Sequence, residues 1–189
     1  MKGRDDLLTA AFELLGQGED SPQPANVAAA AGVSKALVFH HFGSRAGLEA
    51  AMAADVLAQT AEGLERLVAE EPNPRARLIA LARTLLEEPV ATSPLAEAAV
   101  LRFWLKPDAA GRVRAAARDD LVRAFVEATV RDGIATGALR ATTPPDEVAR
   151  RILMAWHGAS LAYCAGADVQ HERRADELAQ TLDETYGPQ

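Results

Sequence analysis

Two neighbouring histidines, His40 and His41, lie in AAGVSKALVFHHFGSR (residues 30–45), which holds half of the chain's four histidines. Imidazoles can ligate a metal, act as a base, or donate to a nucleic acid. Adjacent residues on a helix point about 100° apart, and no cysteine or carboxylate stands beside the pair at ligand spacing, so a shared metal is not expected. A second candidate pair is His157 and Cys164, seven residues apart on one helical face. No acid or further ligand accompanies them in sequence, and the packed-core reading is preferred. Asp119 and Asp120 read as a solvated helix face rather than an acid pair. No catalytic residue, metal or cofactor is therefore assigned.

The elements that position these residues are helices. Apolar residues recur at helical spacing nearly everywhere and no segment keeps a period of two, so the chain reads as all-α, with about nine helices. Leu7, Leu8, Ala11, Phe12 and Leu15 form the apolar stripe of a first helix over residues 4–17. A short helix ANVAAAA follows; Gly32 suits the left-handed bend at its end. Ser34 offers a cap to a second short helix, KALVFHH, and Ser44 caps a long helix reaching about Glu71. Later stops outline helices at roughly 74–88, 94–105, 109–136, 145–165 and 171–186.

On a wheel of the second short helix, Val38 and Phe42 define the inward direction, and His40 falls nearly opposite, beside Ala36 and Leu37. Phe39 and His41 lie on the flanks. Short helix, tight turn and short helix make a helix-turn-helix whose second helix suits the major groove. Alanine and leucine can meet thymine methyls, while Lys35, His40, His41 and Arg45 can meet phosphates or base acceptors. Ser34, Lys35 and Arg45 also stand at helix N-termini, which favour phosphate.

Composition narrows the alternatives. The 189 residues carry a formal charge of −7, and residues 1–52 hold four basic against six acidic side chains. That excludes coating nucleic acid by bulk attraction and confines any contact to a local face. One cysteine excludes an intrachain disulfide, and no apolar run approaches the roughly 20 residues needed to cross a bilayer, so a cytoplasmic, non-membrane protein is expected.

The run LLTAAFELL, then NVAAAAGVSKALVFHHFGSRAGLEAAM, resembles the N-terminal domain of TetR-family transcriptional regulators over about the first fifty residues. The later helices match in architecture, with VRDGIATGALRATTPPDEVARRILMAWHGASLAY similar to the family's penultimate region. The resemblance implies a helix-turn-helix domain at 1–52 and a helical ligand-binding and dimerisation domain at 53–189. It also implies a homodimer, formed through the last two helices, that binds a palindromic duplex operator and releases it when a small molecule enters the second domain. Repression is the expected outcome. Phe39 stands where the family commonly has tyrosine, and Pro24 and Ala25 stand where it often has threonine or arginine.

For DNA binding the candidates are Ser34, Lys35, Ala36, Leu37, Phe39, His40, His41 and Arg45. For the small molecule they are Phe103, Trp104, Phe125, Met154, Trp156, His157 and Tyr163, large or polarizable residues able to line a cavity. Two other readings are a small helical enzyme using the C-terminal domain and a helical dimer that does not bind DNA.

Overall fold

The computed structural model describes residues 3–19, 21–87, 103–104, 109–164 and 171–188. Eight helices are present among them and no strand: α1 (Arg4–Gly16), α2 (Pro24–Ala31), α3 (Lys35–Phe42), α4 (Arg45–Glu70), α5 (Pro74–Glu87), α6 (Ala109–Thr136), α7 (Pro145–Cys164) and α8 (His171–Tyr186). Most of the helix expected over 94–105 lies outside the described residues.

Two compact units are formed. Met1–Gln59 and Val90–Ala115 make the first; Thr60–Pro89 and Ala116–Gln189 make the second. The division thus falls later in α4 than Met52, and the first unit takes in a later stretch of chain. Val56 and Leu57 pack on the first core, and Phe103 and Trp104 are members of it. Side chains more than forty residues downstream could not be joined to that core from periodicity.

In the first unit Leu7, Leu8, Ala11 and Leu15 of α1 meet Val27, Ala28 and Ala31 of α2, Val38 of α3 and Leu48 and Met52 of α4. Small side chains on α2 permit close crossing, and the leucines of α1 cover two helices too short to bury a core alone. The second core runs through Leu78, Leu81 and Ala82 of α5, Val122, Val126 and Val130 of α6, Val148, Ile152 and Trp156 of α7, and Ala175 and Leu182 of α8. Valines four residues apart on α6 keep one stripe inward despite the charged residues between them.

Candidate nucleic-acid interface

The turn between α2 and α3 is built by Gly32, at φ +66°. There Val33 N–H donates to the Ala28 carbonyl at 2.9 Å and Gly32 N–H to that of Ala29 at 3.1 Å, which closes the end of α2. Ser34 then starts α3, its hydroxyl accepting from Leu37 N–H at 3.3 Å. At the other end Gly43 also takes a positive φ, and Ser44 caps α4 by accepting from Gly47 N–H at 3.0 Å.

Val38 is the buried anchor of α3. Ser34, Lys35, Ala36, Phe39 and His40 are exposed, whereas Leu37 and His41 are half-buried. The outward direction expected for Ala36 and His40 is thus found, but Leu37 is turned further toward the protein than its wheel position indicates. Phe39 is 39% exposed and its ring lies 5.5 Å from the Lys35 ammonium. His40 and His41 meet edge to face at 5.4 Å. The two rings are thus in contact with each other, His40 exposed and His41 half-buried.

Two features of this surface escaped the sequence reasoning. No acidic residue stands between Asp20 and Glu49, so α3 and both flanking turns carry only basic or neutral side chains. The run is plain in the sequence once charges are mapped onto the helix-turn-helix. Arg4 also comes over the Phe42 ring at 5.8 Å, bringing a further guanidinium from α1 to the C-terminal end of α3. Nothing in local spacing marks it.

The N-terminus of α2 is different. Pro24 is its buried first residue, and the Glu19 carboxylate accepts from Gln23 N–H at 2.9 Å and from the Asn26 amide at 3.1 Å. A carboxylate already sits where the N–H groups at the start of α2 would favour an anion. At the start of α4, Arg45 is 45% exposed, but its guanidinium is turned onto Ser21 and Glu49.

The residues considered for a small molecule fall into both units. Phe103 and Trp104 are buried in the first core, while Trp156 and half-buried Phe125 belong to the second. Met154 is 65% exposed. The side chains of Tyr163 and Cys164 lie outside the described residues. A groove of about 340 Å³ is lined by Leu86, Ala155, Arg174, Glu177, Leu178 and Thr181, and none of the expected wall residues is among them.

Asp119 corrects an expectation. It is not part of a solvated face, because its carboxylate lies 3.2 Å from His157 Nε2 and 3.8 Å from Arg118. Burial pushes its pKa upward, yet the close approach of His157 and the charges of Arg118 and Arg123 outweigh it and hold the carboxyl below its usual range. His157 stacks on Trp156 at 5.3 Å, and the Arg118 guanidinium covers Trp156 at 4.4 Å. His157 is thus half-exposed and paired rather than packed into the core. Asp120 is exposed, as expected.

Comparison with known proteins agrees with the local geometry. The family model described as bacterial regulatory proteins, tetR family, matches residues 7–52. Residues 7–52 are thus similar to the N-terminal domain of TetR-family regulators. The chain's fold is also that of TetR regulators throughout the described residues. A TetR transcriptional regulator from Chloroflexus aurantiacus superposes with a TM-score of 0.81 at 21% identity, over 98% of this chain and 96% of that one. One from Haloarcula marismortui gives 0.78 at 22%, over 95% and 94%. FadR from Bacillus subtilis, in complex with stearoyl-CoA, gives 0.77 at 11%, over 95% and 97%. Direct sequence comparison with curated proteins finds no match. Within the matched residues, Phe39 brings a ring but no hydroxyl to the exposed face of α3, and Lys35 supplies the cation beside it.

Among the described residues no helix is long and apolar enough to cross a membrane, and no group of three or more His, Cys, Asp or Glu side chains is placed to hold a metal.

Proposed function

We propose that the protein is a ligand-responsive, DNA-binding transcriptional repressor that reads duplex DNA with α3. The observation that carries this reading is the exposed face of Lys35, Ala36 and His40, free of acidic residues, on a helix-turn-helix whose second helix is held by buried Val38. Ala36, with Leu37 beside it, offers apolar contact to thymine methyls. Lys35 and the N–H groups at the start of α3 meet phosphate, and His40 and His41 donate at separate points.

The protein binds as a homodimer through α7 and α8. Met154 and Leu161, 65% and 67% exposed, lie seven residues apart on one face of α7, with exposed Gly158 between them. A monomer would leave this apolar stripe in water, whereas a two-fold partner would cover it. Symmetry then places two α3 helices in successive major grooves, about 34–36 Å apart. A small molecule bound in the second unit weakens DNA binding by preferring a different arrangement of the dimer. FadR from Bacillus subtilis holds stearoyl-CoA on the same fold. The groove in the second unit, about 340 Å³, has room for a small molecule.

Selection of duplex DNA from a random library by the purified protein tests this reading. Enrichment of a palindrome, bound with an affinity that falls steeply as salt rises, is expected. No enrichment, or binding indifferent to salt, contradicts it.

A further inference from the structure

Glu49 is a carboxylate at the edge of the first core, only 8% exposed. Its two oxygens face different arginines. Oε1 accepts from Arg45 Nε at 3.3 Å and from the Ser21 hydroxyl, while Oε2 lies 3.9 Å from Arg114 Nη1. The two guanidiniums are held unequally. Arg114, in α6, is 8% exposed, donates through Nη2 to the Phe103 carbonyl at 2.9 Å, and covers the Phe103 ring at 4.7 Å. Arg45 is 45% exposed and bonds Ser21 as well as Glu49; it begins α4 directly after the Ser44 cap.

We propose that Glu49 is a positioning residue for DNA binding: shared between Arg114 and Arg45, it sets how readily Arg45 turns outward to a DNA phosphate. The proposal rests on the DNA-binding reading above. Two guanidiniums beside one buried carboxylate compensate the same charge, so they are not independent. When Arg114 compensates Glu49, Arg45 can leave for a phosphate at small cost. When Arg114 is withdrawn, less positive charge competes for Glu49 and Arg45 is held on it more firmly. Arg114 keeps its own place through Phe103, which makes Arg45 the partner that moves. A shift in the first turns of α6 would then alter the affinity for DNA without touching α3.

The test uses the full-length protein and the duplex recovered by selection, with affinity measured by fluorescence anisotropy across a salt series. Glu49→Gln is expected to bind about three- to tenfold tighter, with a salt slope steeper by about one phosphate contact per protomer. Arg114→Met is expected to bind weaker by a similar factor with a shallower slope, and Arg114→Lys to recover part of the loss. In an Arg45→Ala background neither Glu49→Gln nor Arg114→Met should change affinity or slope. Effects that persist at full size without Arg45, or that leave the salt slope unchanged, overturn the role of Glu49. If Arg114→Met lacks a cooperative melting transition, the comparison of Glu49→Gln with and without Arg45 decides alone. Failure of the wild-type protein to bind any duplex overturns the DNA-binding reading and this proposal together; the other failures overturn only the role of Glu49.

Discussion

Gly47 shows how closely the end of α3 is drawn against α4. A Cβ built there would fall inside contact distance of the Phe42 carbonyl oxygen, a backbone atom that cannot swing aside. Gly47→Ala is therefore expected to lower unfolding stability by about 1–3 kcal/mol, as overpacking does, visible as a lower midpoint in urea. An unchanged midpoint would mean that the α3–α4 junction yields easily. At this scale the sequence is informative where a side chain's direction follows from its own helix. His40 and Ala36 face outward and Val38 inward, as the period requires. It is silent where a partner comes from another element: Arg45 meets Ser21, Arg4 covers Phe42, and Asp119 pairs with His157. Residue type alone marks all three charged groups as solvated.

Helix ends were the most legible elements, because Gly32, Ser34, Ser44 and the proline-containing stops each act through local backbone chemistry. Packing between helices was not, and α8 illustrates this. Its last turn is closed by Arg140, whose guanidinium donates to the carbonyls of Thr185 at 2.9 Å and Glu184 at 3.2 Å. This cation satisfies end carbonyls that the helix itself cannot. Arg75 of α5 bonds Asp183 of α8, and this hydrogen bond and charge, against a smaller opposing effect of desolvation, hold the Asp183 carboxyl below its usual range. A depressed carboxylate contributes stability above its unfolded pKa, and that contribution is lost as pH falls through the lowered folded value. Asp183→Asn is accordingly expected to melt below wild type at neutral pH, with the gap closing as pH drops below about 4. Both side chains are over a third exposed, so the difference stays within about 1 kcal/mol. A gap that widens in acid would contradict the assigned pair.

For the whole molecule, the formal charge of −7 gives no hint of a nucleic-acid partner. The reading depends on a small basic and neutral face set within an acidic protein, which favours local recognition over bulk attraction. The all-α class and TetR-type N-terminal domain could be read from pattern and motif. The exposure of Met154 could not, since apolar residues at helical spacing look the same whether they face a core, a cavity or a second subunit. The central claim is that the exposed face of α3 enters DNA, and Ala36 tests it most directly because the residue is exposed and already helical. Ala36→Glu adds a carboxylate to that face without disturbing the core. Titrated against the selected duplex, it is predicted to bind at least about tenfold more weakly, a loss of about 1.4 kcal/mol or more, with melting temperature and oligomeric state unchanged. Wild-type affinity in the Ala36→Glu protein would contradict the account.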